Sequence, residues 1–296
     1  MSDTENFWVN DKDMVRLVDV VHHTATGSRI HDIPQEIHFI WLGSSLPEKY
    51  ARVIESWRAL HPGWLVTIWN DADATMFMAS DKRVLRRQFH AATNFGMKSD
   101  ILRYEVLLSR GGIYVDIDYE CIKSIESASW WGTCEAFAGW SHTNALEINN
   151  GIMGSTKDHP LFRQVVDAIS ENEDMLPVVK KRAIDFAGME SVLAFLGTEK
   201  TDLISMSAND AAMKVIQCTG PGMFTRQVYA FLMEQELRGE EIMHAPLILP
   251  RAVFHPVPNH VDVDIAETEN LAGLKAAWVQ ENTIAIHWWQ KSWQKS

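Results

Sequence analysis

The stretch from Lys98 to Glu120, K-S-D-I-L-R-Y-E-V-L-L-S-R-G-G-I-Y-V-D-I-D-Y-E, constrains this chain more than any other part of it. Its first half reads as a helix with Asp100 and Arg103 spaced i, i+3, and so on one face. Gly111 and Gly112 stop that helix, and a short β-run, Ile113, Tyr114 and Val115, ends in two carboxylates, Asp116 and Asp118. Two acids at the end of a buried strand cost stability unless something compensates them, because an apolar run is carrying charge to a place with little water. A divalent cation that holds a phosphorylated ligand supplies such compensation. The segment therefore points to metal-assisted group transfer.

Strand and helix signals alternate around it. Ile37 to Leu42 is a continuous apolar run closed by Gly43-Ser44-Ser45, and Pro47 opens a helix that reaches Leu60. Trp64 to Trp69 reads as a second strand, ended by Asn70-Asp71, and residues 72–90 as helical with a break near Ser80-Asp81. Tyr119 to Ile122, Glu135 to Trp140 and Ile148 to Met153 read as further strands. Beyond His159-Pro160 the pattern turns helical, over 161–170, 178–195, 208–216 and 222–236, before two late strands, Pro246 to Leu249 and Thr283 to Trp289. This predicts an α/β fold: a mixed, mostly parallel, Rossmann-like sheet flanked by helices, with a helical elaboration over about 158–240. Ligands of such sheets sit beyond the carboxyl ends of strands, where Trp41, Asn70 and Asp116 all fall. No repeat or Pro-, Gly- or Ser-rich linker divides the chain. Residues 33–296 are read as one domain, with a closing segment at 283–296, behind a polar lead-in, 1–32, that carries a short helix around Asp11 to Val21.

Composition removes several classes of function. A net charge of -12 over 296 residues argues against a protein that grips a nucleic-acid backbone, while leaving room for a local basic pocket around a diphosphate. No apolar run approaches the roughly 18–20 residues that span a bilayer, and the acidic N-terminus lacks the apolar stretch of a secretory signal. Three cysteines (Cys121, Cys134 and Cys218) without C-x-x-C spacing read as reduced thiols, which predicts a cytoplasmic protein. The sequence contains no G-x-G-x-x-G, no phosphate-loop pattern, no G-x-S-x-G and no H-E-x-x-H.

Four groups of residues carry chemistry. Asp116 and Asp118, spaced i, i+2 on a strand, can address one ion, and hard oxygen ligands with no nearby His or Cys favour magnesium or manganese over zinc. The competing reading is a pair of solvated acids in a turn. Asp100 and Arg103 fit hydroxyl and phosphate recognition, against the plainer reading of a surface ion pair. Trp41 is either a stacking platform for a base or a core tryptophan. In the C-terminal run I-H-W-W-Q-K-S-W, Ser292 and Trp293 are the candidate donors to a leaving phosphate. His287, beside its tryptophans, is expected to be a satisfied partner rather than a metal ligand.

Taken together, I-P-Q-E-I-H-F-I-W-L-G, S-W-x-x-x-x-P-G-W, K-S-D-I-L-R-Y, G-G-I-Y-V-D-I-D, N-N-G-I-M-G, T-G-P-G and the terminal H-W-W-x-x-S-W resemble the D-x-D sugar transferases. That group includes the yeast Golgi and sphingolipid mannosyltransferases and bacterial capsule enzymes, and it is distantly similar to the catalytic domains of the large clostridial glucosylating toxins. The resemblance runs in order from about Ile33 to Trp293. It implies a glycosyltransferase fold of type A, manganese or magnesium as cofactor, and a UDP- or GDP-linked hexose donor transferred with retention of configuration. It also implies residue roles. Trp41 would stack on the base, and Asp100, Arg103 and Tyr104 would hold the sugar. Asp116 would contact the ribose and a metal-bound water, and Asp118 the metal. Ser292 and Trp293 would close on metal and diphosphate, and Asn150 would line the sugar and acceptor side. The acceptor would be a glycan, a lipid-linked saccharide or a protein, with polysaccharide biosynthesis the setting suggested by the capsule enzymes. Neither an anchor like that of the Golgi members nor large insertions like those of the toxins are expected from the sequence. Rival readings are a nucleotide-sugar hydrolase, a protein-modifying glucosyltransferase effector, and a carbohydrate-binding module using some of the twelve tryptophans.

Overall fold

The structure, a computed structural model, describes residues 33–143, 147–172, 211–237, 244–261 and 263–290. The helices expected around 11–21 and 178–195 lie outside the described residues, as do Ser292 and Trp293.

In chain order the elements are β1 (Glu36–Ile40), α1 (Glu48–Leu60), β2 (Leu65–Trp69), α2 (Asp71–Met78), α3 (Arg86–Ala91), α4 (Phe95–Arg110), β3 (Gly112–Val115), β4 (Tyr119–Cys121), β5 (Ala136–Trp140), β6 (Ile148–Ser155), α5 (Pro160–Glu171), α6 (Ala211–Cys218), α7 (Pro221–Leu237), β7 (Leu247–Leu249), α8 (Arg251–Phe254), α9 (Thr268–Trp278) and β8 (Ala285–His287). Six strands form a sheet in the order β2-β1-β3-β6-β5-β7. Within it β2, β1 and β3 run parallel and β5 runs parallel to β7, while β6 is reversed against both neighbours. The mixed, mostly parallel sheet flanked by helices is therefore the observed architecture. Because β1 and β3 are buried on both faces, their sequences read as continuous apolar runs. Alternate residues feed two cores. Ile40 and Tyr114 point to one shared with α2 to α7, and Ile37, Phe39 and Val115 to one shared with α1, α8, α9 and β8.

Local sequence explains the elements nearest the site. In α1 the buried face is Tyr50, Val53, Ile54 and Trp57, the i, i+3, i+4, i+7 stripe of a helix lying on a sheet. Asn94 caps α4 by accepting from the Met97 N–H, and α4 is buried almost all round, including Asp100, Arg103 and Glu105. Its end is dictated sterically. A Cβ on Gly111 would lie 2.8 Å from Lys157 N, and one on Gly112 would lie 2.6 Å from Glu36 O, so no side chain fits where α4 turns into β3. Both glycines also hold positive φ, at 72° and 91°. Burial keeps His38 neutral by lowering its pKa, and its Nε2 meets Gly111 O at 3.0 Å, tying this turn to β1.

The late strands were expected at the sheet or its rim: β7 joins the main sheet, while β8 pairs antiparallel with β4 in a separate two-stranded sheet, placing Tyr119 opposite His287. Helices α8 and α9 were not anticipated; α9, T-E-N-L-A-G-L-K-A-A-W, carries a mid-helix glycine and no sharp apolar stripe.

Candidate active site

Asp116 and Asp118 do not lie on the strand. The ladder of β3 ends at Val115, and the two acids sit in the turn to β4, closed by the Tyr119 N–H donating to Asp116 O at 3.1 Å. Their convergence comes from that turn rather than from strand alternation, which corrects the geometry expected from the i, i+2 spacing. The turn is pressed against β6: the Asp116 N–H donates to Gly151 O at 2.7 Å. A Cβ on Gly151 would stand 2.7 Å from Asp116 Oδ2 and 2.8 Å from Asn149 Oδ1, so the acid occupies space that only glycine vacates.

Arg103 is the centre of the cluster. Its Nη2 lies 3.2 Å from Asp100 Oδ1 and 3.3 Å from Asp116 Oδ1, and its Nη1 donates to Asn150 O at 2.7 Å. Its guanidinium lies over the Tyr114 ring at 4.3 Å, and the Tyr114 hydroxyl donates to Asp116 Oδ1 at 2.5 Å. Burial works against the Arg103 charge, but Asp116, Tyr114 and Asp100 outweigh it and hold the group protonated. Far from being a wet surface pair, Asp100 and Arg103 are 4% and 5% exposed. Burial raises the Asp100 carboxyl to about 6, with Arg103 and the Thr219 hydroxyl pulling the other way.

At the other side of Asp116 stands Asp118, held by the C-terminal segment. The Gln290 N–H donates to Asp118 Oδ2 at 2.8 Å, the Trp288 N–H donates to its carbonyl at 3.0 Å, and His287 Nε2 lies 3.3 Å from Oδ1. Burial alone would raise the Asp118 carboxyl; His287 and the Gln290 N–H more than offset it and leave the group below its usual range. Burial and the neighbouring Asp118 push Asp116 up, against Arg103. Asp116, Asp118 and His287 each present a ligand atom, all within 4.8 Å of one another. Two carboxylates and an imidazole, one of the carboxylates 30% exposed, form a donor set that fits a divalent cation. His287 thus stands where it was expected not to. Its ring stacks on Tyr119 at 4.1 Å and meets Trp289 at 3.9 Å, so the tryptophan neighbourhood orients the imidazole rather than replacing a ligand role.

The remaining site residues fall into place unevenly. Asn150 joins the cluster, donating to Asp100 Oδ1 at 2.9 Å. Tyr104, expected to touch a donor, is fully buried behind Asn150: its hydroxyl accepts from Asn150 Nδ2 and donates to Thr219 O, both at 2.9 Å. It supports the site from behind, because helix α4 turns that position inward. Trp41 follows β1 on the same sheet edge as the acids, half-buried, with Nε1 donating to Ser44 Oγ and Ser45 O at 3.2 Å and its ring tilted over Tyr50. Asn70 is spent on capping α2, accepting from the Ala72 and Asp73 N–H groups. Sequence reasoning missed Tyr114, His287 and Gln290 as parts of the site. The strand-end rule that selected Asp116 would also have selected His287, the last residue of β8.

An open mixed sheet with one reversed strand, acids in the turn after a central strand and an Arg–Asp pair on the preceding helix are the arrangement that the resemblance to type A glycosyltransferases implied. Residues 47–138 match the family described as the glycosyltransferase sugar-binding region containing the DXD motif. Inositol phosphoceramide mannosyltransferase 3 of Schizosaccharomyces pombe is 30% identical over 162 residues, 54% of this chain and 44% of that protein. Subversion of eukaryotic traffic protein A of Legionella pneumophila is 23% identical over 219 residues, 66% of this chain and 32% of that protein. The match thus spans less than half the length of either relative. Among solved structures, the PaToxG glycosyltransferase aligns over 78% of this chain and 82% of that chain at 17% identity, with a TM-score of 0.46. No helix among the described residues is long and apolar enough to cross a membrane.

Proposed function

We propose that the protein is a retaining, divalent-cation-dependent glycosyltransferase that moves a hexose from a UDP- or GDP-linked donor to an acceptor hydroxyl on a glycan or glycolipid. The observation that carries this reading is Arg103, clamped between Asp100 and Asp116 with the Asp116–Asp118–His287 cluster on its far side. A nucleotide-sugar donor asks for that sequence of groups: a carboxylate for ring hydroxyls, then fixed positive charge and a cation position for the diphosphate. The mannosyltransferase among the relatives supports a hexose donor and a glycolipid acceptor.

Asp116, Asp118 and His287 would hold the cation, which when bound neutralises charge developing on the leaving diphosphate. The chain's own groups do the rest. Arg103, locked by Asp100, Asp116 and Asn150 O, offers a charged donor that need not reorganise as that charge appears. Tyr114 and the Gln290 N–H fix the orientation of Asp116 and Asp118. Asp100, with Oδ1 and Oδ2 already engaged by Asn150 and Thr219, keeps lone-pair capacity for a sugar hydroxyl. Each of these three carboxylates is engaged by neighbouring donors, which favours front-face attack, with the leaving phosphate taking the acceptor's proton, over a carboxylate nucleophile. Nucleotide release from UDP-glucose, UDP-galactose and GDP-mannose with manganese tests the reading. Asp118→Ala is expected to lose at least about a hundredfold in kcat/KM, and NMR of the product should find the donor's anomeric configuration kept. Parent-like turnover by Asp118→Ala removes the cation-dependent reading, and an inverted product removes retention.

A further inference from the structure

The turn Thr219-Gly220 joins α6 to α7, which opens with Pro221-Gly222, and reaches the sugar end of the site. Thr219 is fully buried. Its Oγ1 donates to Asp100 Oδ2 at 2.9 Å, and its carbonyl accepts from the Tyr104 hydroxyl at 2.9 Å. That hydroxyl accepts from Asn150 Nδ2, whose other hydrogen goes to Asp100 Oδ1. Thr219 closes a ring of hydrogen bonds that holds the Asp100 carboxylate from both oxygens.

The turn is itself fixed. The Gly220 N–H returns to Val215 O at 2.8 Å, and a Cβ on Gly220 would lie 2.9 Å from Ile216 Cα, so the chain packs on the end of α6. Arg226 of α7 donates to the Gln217 carbonyl and side chain at 2.5 Å, and Thr225 Oγ1 accepts from the Ile148 N–H of β6 at 2.9 Å. Phe224 stacks on Tyr104, with ring centres 6.0 Å apart. The position of Thr219 is therefore set by α6, α7 and the sheet together.

We propose that Thr219 is the positioning residue for Asp100, and that through it the helical half of the chain sets the geometry of the sugar end of the site. The proposal rests on the transferase reading above. The physical reason is the soft terminal torsion of an aspartate, which is broad and roughly two-fold. Without a donor on Oδ2, the carboxylate is free to turn toward a parallel, two-bond pairing with Arg103, which is the favoured geometry of such pairs. That rotation takes its remaining lone pair away from a sugar hydroxyl. The Thr219 proton has a weaker competing acceptor in Val215 O at 3.4 Å, so Asp100 takes it.

Thr219→Val removes the hydroxyl at nearly constant shape. In nucleotide release from UDP-glucose and GDP-mannose, kcat/KM is expected to fall roughly 10- to 100-fold, with Thr219→Ser recovering most of the loss. The Kd for UDP or GDP alone with manganese should stay within about twofold, since the free nucleotide carries no sugar for Asp100 to hold. A turn that only supports the fold would lower nucleotide affinity in step with turnover, and that result, or parent-like kcat/KM in Thr219→Val, overturns the proposal. A crystal structure of Thr219→Val decides independently of turnover: Asp100 rotated toward Arg103 supports it, and an unmoved carboxylate overturns it. If the parent chain releases nucleotide from no donor, the transferase reading falls while that structure still settles Thr219. Should Thr219→Val fail to fold, Thr219→Ala, which places no methyl against the carboxylate, is read in the same way.

Discussion

At the scale of single residues, Asp100 carries the most consequential electrostatics of the molecule. Its carboxylate is 4% exposed, and burial raises its pKa from 3.8 to about 6 despite Arg103 and Thr219. Raised folded-state pKa values favour the protonated form on folding. The corresponding stability is fully present below the unfolded value of 3.8 and is lost as the pH rises through about 6. Asp100→Asn, which does not titrate, is expected to flatten the pH dependence of Tm across that window in metal-free protein, measured by scanning calorimetry. Turnover should follow the opposite course in the parent, because only the ionised carboxylate accepts from Asn150, Thr219 and Arg103 at once. Activity is expected to drop below about pH 6, and an acid limb unchanged from pH 7 to well below 5 would mean that Asp100 is ionised by something other than these partners.

Elements explain why some of this could be read from sequence and some could not. Gly-Gly after α4 and the apolar runs of β1 and β3 are local signals, and each produced the element it announced. Local signals also placed Asp100, Arg103, Asp116 and Asp118 in one site, since a single helix-turn-strand unit carries all four. What the sequence concealed depends on contacts between distant segments. Thr219 meets Asp100 across 119 positions, and β8 chooses β4 over the main sheet, a pairing preference that no pattern within either strand encodes. The Asp116–Asp118 turn is set by the Gly151 carbonyl on β6, again from outside the segment. Gly151→Ala tests that element directly. The new methyl meets the tips of Asp116, Asn149 and Tyr119 side chains, which can move, so the fold should lose only about 1–3 kcal/mol in urea unfolding. Displacing Asp116 should cost roughly 10-fold or more in turnover with manganese. Full activity at unchanged stability would show that the turn tolerates a Cβ and that Asp116 is not held by close packing.

For the whole molecule, the candidate cation site is a joint between the middle of the chain and its C-terminal end. The β4–β8 ladder brings residues 118 and 287–290 together, and Asp118 receives the Gln290 N–H, the Trp288 N–H and His287 from that one segment. Trp288 is fully buried with Nε1 on Glu120, which Lys275 of α9 also pairs at 2.6 Å. The docking of β8 is thus secured by α9 and the second core, independently of any ion. The imidazole makes the donor set softer than oxygens alone, so manganese is expected to bind it more tightly than magnesium. His287→Ala is expected to weaken manganese binding about 10- to 100-fold in calorimetric titration, with a smaller change for magnesium. Because a ligand stabilises only through the state that binds it, manganese should raise the Tm of the parent and raise that of His287→Ala less at the same concentration. Equal manganese affinity in the two proteins would leave His287 as a stacking partner of Tyr119 and Trp289 and return the site to its two carboxylates.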